Sequence, residues 1–230
     1  FMGLYLNRIL IIVLIFFFNT SSANKFNVEY KNFNIEYKIS TAGIKIGYLN
    51  WNLIIKNNVY QTEIGLKNTG FLTPLYKFEG HYFSLGSINE NLFKAEEYKQ
   101  YWKTRKKTKI VNMKFDDYLI DLFQDPAEKE FSRINLEELY LYFDPITSFL
   151  NILNGSNEAN TIDGRRVYTF KKDIGVDDSK IVLNINNYKN IWADHQRNDL
   201  KKIEFIVGDD FLPQKILIYF KERVFKLEKT

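Results

Sequence analysis

Residues 48–68 read YLNWNLIIKNNVYQTEIGLKN, and their alternation about one Asn-Asn pair constrains the fold more than any other stretch. Asparagine tolerates the positive φ of two-residue hairpin loops, so Asn57-Asn58 predicts a tight turn between two antiparallel strands. The register then follows. With Lys56 opposite Val59, Ile55 faces Tyr60, Leu53 faces Thr62, Trp51 faces Ile64 and Leu49 faces Leu66. Directly opposed residues share a face of the sheet, so these apolar pairs make one dry side. The other side shows Asn50, Asn52, Gln61, Glu63 and Lys67, which makes it the wet one.

The same pattern recurs along the chain. Segments 26–39, 75–84, 92–102, 106–115, 161–170, 179–187, 201–207, 214–220 and 223–228 read as strands. Turn chemistry at Gly86-Ser87, Asp163-Gly164 and Gly208-Asp209-Asp210 punctuates them. Many strands, short turns and no βαβ alternation predict a mainly β domain: a large curved antiparallel sheet or open β-barrel. An aromatic content of 17% with four prolines and two methionines favours strands over a helical bundle.

Against this background DPITSFLNILNG (144–155) predicts a helix. Asp144 caps it, Pro145 suits the first helical position, and Gly155 closes the end. Ile146, Phe149, Leu150 and Leu153 form one apolar stripe that must leave water, and the concave side of the sheet is the place for it. There the helix would act as a plug or, given the Gly155-Ser156-Asn157 loop beside it, as a movable lid. DDYLIDLF and NLEELYLY, within 116–142, each fit a helix or a strand, so a second short helix is allowed.

The N-terminal stretch has the order of a secretory signal peptide: Arg8, an apolar run from Ile9 to Phe18, then small polar residues. The run is short of the ~20 apolar residues of a bilayer span. Ser21 and Ala23 suit signal peptidase, so cleavage is expected after Ala23, leaving 24–230 as one exported domain. An uncleaved anchor is the alternative. The sequence contains no cysteine, so the fold rests on packing rather than on disulfides. A net charge of +4 singles out no partner.

GIKIG at 43–47, NTGFLTPLY at 68–76, DPITSFL at 144–150, IDGRRVYTF at 162–170 and FLPQKI at 211–216 follow the leader in that order. Together they resemble an exported bacterial family catalogued as domain of unknown function 3108. The resemblance implies a periplasmic or envelope-associated β-rich domain with no established reaction. By analogy of fold it also points to the periplasmic lipoprotein carriers, whose open barrel is closed by helices.

Catalytic chemistry finds little foothold. His81 and His195 lie far apart with no cysteine to join them, so neither metal nor cofactor is expected. A G-x-S-x-G elbow, a P-loop and a Gly-rich phosphate turn are missing from the sequence. The carboxylate doublets Glu96-Glu97, Asp116-Asp117, Glu137-Glu138, Asp177-Asp178 and Asp209-Asp210 are neighbours in sequence, and on a strand such neighbours point to opposite faces.

The strongest polar feature is KQYWKTRKKTK (99–109), where Lys103, Arg105, Lys106 and Lys107 crowd beside Tyr101 and Trp102. It suits an anionic membrane surface or envelope partner, or simply a hairpin tip in water with its edge guarded by charge. Nucleic acid is not an expected partner of an exported protein.

Two functional classes fit. One is a carrier whose curved sheet encloses an apolar small molecule or lipid, with Trp51, Ile64, Phe149, Leu150 and Leu153 as cavity candidates. The other is an envelope scaffold whose interior is packed solid by inward rings such as Trp51, Phe78, Tyr82 and Phe170. Neither is an enzyme.

Overall fold

A computed structural model describes residues 30–69, 77–116, 119–173, 180–192, 199–208 and 210–230. The expected leader with its cleavage site, residues 26–29, the motif residues 70–76, His195, Asp117, Asp177, Asp178 and Asp209 lie outside the described residues.

The first half of the sheet is an antiparallel meander. It runs β1 Tyr30–Thr41, β2 Ile44–Lys56, β3 Val59–Asn68, β4 Phe78–Asn89, β5 Leu92–Thr104, β6 Thr108–Asp116 and β7 Leu119–Asp125. Then come β8 Tyr142–Phe143, helix α1 Pro145–Leu153 and β9 Glu158–Ile162. The chain continues with β10 Arg166–Lys172, β11 Lys180–Asn190, β12 Leu200–Ile206, β13 Lys215–Phe220 and β14 Arg223–Lys229. The strands form one curved sheet in the order β7-β6-β5-β4-β3-β2-β1-β14-β13-β12-β11-β10-β9-β8, antiparallel except for the β8–β9 pair. The 48–68 hairpin has the register its turn dictates, Trp51 opposite Ile64 and Ile55 opposite Tyr60. Asn57 and Asn58 take φ of 50° and 60°. Glu90 and Asn91, at 49° and 71°, turn the β4–β5 hairpin in the same way.

Two readings of the sequence need correction and one open choice is settled. Gly86-Ser87 is not a turn but lies inside β4, where the β4–β5 register slips and Glu96 becomes the extra residue. The glycine is there for a close approach, since a Cβ on Gly86 would sit 1.9 Å from the Lys94 carbonyl oxygen. Residues 161–170 are two strands, β9 and β10, separated at 163–165. Of the two ambiguous stretches, DDYLIDLF supplies β7 and NLEELYLY a 3-10 turn, Leu136–Glu138, followed by β8.

The edges β7 and β8 share no ladder. A few bonds outside any ladder join the two margins of the sheet instead. Gln124 Nε2, on β7, donates to the Gly164 carbonyl between β9 and β10, which also accepts from Trp192 Nε1 of its own margin at 3.1 Å. Arg165 pairs with Glu128 at 2.7 Å, and the Arg133 N–H donates to the Ile191 carbonyl at 2.8 Å. The margins touch closely, because a Cβ on Gly164 would lie 2.5 Å from Val111 Cγ1.

Helix α1 lies on the inner face against β5, β9 and β10. Asp144 caps it by accepting from the N–H groups of Ile146 (2.9 Å) and Thr147 (3.1 Å), and Gly155 follows its end at φ 105°. Ile146, Phe149, Leu150 and Ile152 are buried and Leu153 is half-buried. Burying a side chain of this kind is worth ~1.5–3 kcal/mol.

Candidate functional site

Helix α1 occupies only one end of the space inside the sheet. At that end polar groups lock it in place. Ser84 Oγ donates to Asp144 Oδ2 at 2.9 Å, as does the Thr147 hydroxyl, which leaves Tyr60 to donate to Thr147 Oγ1 at 2.6 Å. Burial raises the Asp144 carboxyl above its ordinary range, against the pull of the bonds from Thr147, Ser84 and Ile146. Asn151 grips the backbone of Phe93 twice, accepting from its N–H at 2.8 Å and donating to its carbonyl at 2.9 Å. Such bonds fix the helix as a plug rather than the movable lid its flanking loop suggests. The 210–214 segment adds to the closure. Phe211 lies over Phe33 and Phe93, Leu212 is buried, and the Tyr37 hydroxyl donates to the Pro213 carbonyl at 2.7 Å.

Beyond the plug the interior is hollow. A cavity of about 410 Å³ lies beside the helix, lined by Trp51, Ile64, Phe149, Phe170, Ile203 and Ile216 among others. A second, of about 870 Å³, is lined by Ile39, Ile46, Phe78, Trp102, Phe220, Arg223 and Phe225. Leu49, Leu66, Tyr82, Ile218 and Leu227 line both, so the two spaces adjoin and run from the helix toward the strand ends at Thr41, Asn68, Trp102 and Phe220. Volumes of ~300–1,000 Å³ with apolar walls and few polar groups are those of small-molecule sites.

The polar groups in this wall are few and largely satisfied. The Tyr98 hydroxyl donates to Gln100 Oε1 at 3.3 Å. Asp163 accepts from the N–H groups of Arg165 (2.9 Å) and Arg166 (2.8 Å) and lies 3.7 Å from the Arg166 guanidinium. Its carboxyl is nonetheless raised, because burial outweighs Arg166 and those bonds. Burial also holds the phenols of Tyr82, Tyr98 and Tyr168 well above their ordinary pKa, so they stay protonated at neutral pH.

Of the residues singled out from sequence, Trp51, Ile64 and Phe149 line the cavity, whereas Leu150 and Leu153 do not and pack behind the helix. Trp51, Phe78, Tyr82 and Phe170 all point inward, yet they wall the space rather than fill it. Lys103, Arg105, Lys106 and Lys107 are exposed at the tip of the β5–β6 hairpin, with Trp102 just inside it and stacked on Phe78 at 5.4 Å. His81 lies on the outer face, 3.0 Å from Glu79. No three His, Cys, Asp or Glu side chains gather as a metal site among the described residues. Sequence reasoning missed the wall supplied by Leu200, Ile216, Ile218 and Leu227, whose signal was the alternation in β12 to β14.

A curved β-sheet wrapped around a short helix, with an apolar interior, belongs to the β-barrel-like class. A crystal structure of a beta-barrel-like protein of domain of unknown function DUF1849 from Brucella abortus is similar over 86% of this chain and 95% of that one, with a TM-score of 0.54. At 9% identity that likeness is one of fold. No family model matches the chain. Nor does any curated protein.

Proposed function

We propose that this protein is a non-enzymatic protein of the bacterial envelope that holds an apolar ligand, such as a lipid acyl chain, inside the curved sheet. The observation that carries the reading is the cavity of about 870 Å³ adjoining the one beside helix α1, walled by rings and aliphatic side chains. An apolar wall of this kind left in water forgoes the ~25 cal/mol per Å² that covering it would return. The leader-like run from Ile9 to Phe18 and the resemblance to the family of domain of unknown function 3108 support an exported, periplasmic setting. The cation-rich β5–β6 tip, at the same end as the strand ends lining the larger cavity, suits contact with an anionic membrane surface from which such a ligand is drawn.

The test is saturable binding of cis-parinaric acid, a fluorescent fatty acid, to the wild type and to Leu66→Trp. Leu66 lines both spaces, so an indole there narrows the passage between them and obstructs a chain lying through both. Binding by the wild type and its loss in a folded Leu66→Trp variant is the expected result. Absence of saturable binding by the wild type overturns the reading and leaves the alternative of an envelope scaffold acting through its surface.

A further inference from the structure

Charge is scarce in the cavity wall. Asp163 and Arg223 are the ionisable carboxylate and guanidinium that line it among the described residues. Asp163 is answered by two backbone N–H groups and by Arg166. Arg223 is not answered. It stands at the first position of β14, exposed, beside Phe220 and Phe225, and makes no ion pair among the described residues.

Its neighbours at this end accentuate the difference. Lys221 engages Asp199 at 3.8 Å and Arg165 engages Glu128 at 2.7 Å. Lys109, opposite Trp102 on the inner side of β6, has its ammonium pKa lowered by burial and then by Arg165 and Lys107, which marks a gathering of positive charge there. Carboxylates are present too: Glu222 precedes Arg223 in the turn, and Glu79 faces Lys103 across β4–β5. Neither lines the cavity. Seen from inside, the strand-end part of the space therefore has largely apolar walls, with the neutral Thr41 and Asn68 at its rim and Asn68 accepting from the Phe78 N–H. Arg223 is the one charged group in its lining among the described residues.

We propose that Arg223 reads the head group of the ligand, and that the ligand is an anionic single-chain amphiphile, carboxylate or phosphate at the head, with its tail directed toward helix α1. A guanidinium presents paired N–H donors that match a carboxylate or phosphate in a fork, and the bond is charge-assisted. The tail finds the Trp51, Ile64 and Phe149 wall at the far end. This inference rests on the acyl-binding reading above, and the two fail differently.

The experiment compares cis-parinaric acid with its methyl ester at neutral pH, on the wild type and on Arg223→Gln. The expected result is that the wild type prefers the acid by about tenfold, as one charge-assisted contact implies. Arg223→Gln should erase that preference while binding the ester as the wild type does, and added salt should shrink the preference because the arginine is exposed. Equal affinity of the wild type for acid and ester overturns the head-group assignment and leaves the apolar cavity standing. Binding of neither probe overturns both. A preference that survives Arg223→Gln also overturns the assignment, and repeating the comparison on Lys109→Gln then shows whether the inner-face lysine is the reader instead.

Discussion

Helix α1 and the 210–214 segment fill one end of the interior with groups that bond back to the sheet, while the other end is walled by Phe78, Trp102, Phe220 and Phe225 around a cavity of about 870 Å³. Tyr60, Ser84, Asp144, Thr147 and Asn151 are all buried at the first end, and each has its partner. Hydrogen bonds are directional, so a buried network that is fully satisfied admits one arrangement. Apolar walls impose no such direction. The plug is held to one position, whereas the space beside it is bounded by apolar walls: one end is specified by bonds, the other by the exclusion of water.

The largest effect should come from Trp51→Ala. Its ring lies 6.1 Å from that of Phe149 and its Nε1 donates to Thr62 Oγ1 at 2.8 Å, so truncation opens a void in the wall that supports the helix. A loss of ~3–5 kcal/mol in urea unfolding is expected; an unchanged midpoint would mean that the helix end is not packed as described. Asn151→Ala comes next. It removes the partner of the Phe93 N–H and carbonyl in a buried place, and a loss of ~1–3 kcal/mol in the same urea unfolding is expected.

Leu66→Ala tests the other end. Leu66 is half-buried and already borders empty space, so removing its methyls should cost no more than ~1 kcal/mol. A loss as large as that of Trp51→Ala would erase the contrast between the ends.

A pH-dependent effect is expected from Glu204→Gln, on the outside of the sheet, between Lys202 at 2.7 Å and Lys180 at 2.9 Å. Burial opposes the Glu204 charge, but hydrogen bonds from Lys202, Lys180 and Tyr219 prevail and bring its pKa down to about 2. The folded value lies below the ~4.3 of an unfolded glutamate, so the stabilisation is present above that value and lost as pH falls toward 2. Melting curves taken through this window should fall for the wild type and stay flatter for Glu204→Gln. Asn52→Ser, on the wet side, should change stability by less than ~0.5 kcal/mol.

The sheet was legible because strand faces repeat every second residue: the register from Lys56–Val59 to Leu49–Leu66 can be read from one turn. The helix was legible from Asp144, Pro145 and Gly155. Glu90-Asn91 was not, since glutamate seldom takes a φ of 49° and tertiary pairing overrides its preference. Of the helix stripe, Phe149 faces the cavity and Leu150 does not, because periodicity shows which side is apolar but not which part of that side meets a wall and which a void. Nothing in a one-dimensional pattern brings Arg223 to the same space as Trp102, as the pairing of β14 with β1 across the whole chain does.

A closed barrel has its girth set by strand number and stagger, because every strand is laddered to two neighbours. Here β7 and β8 are not laddered to each other, and the join is made at Gly164 by Gln124 and beside it by the Arg165–Glu128 pair. The sheet is thus a scroll whose margins are held by a few contacts and by helix α1, which bonds to Phe93 of β5 on one side of the seam and to the Asn160 carbonyl of β9 on the other. The width of the chamber is therefore set by the seam and the helix across it rather than by a closed ladder.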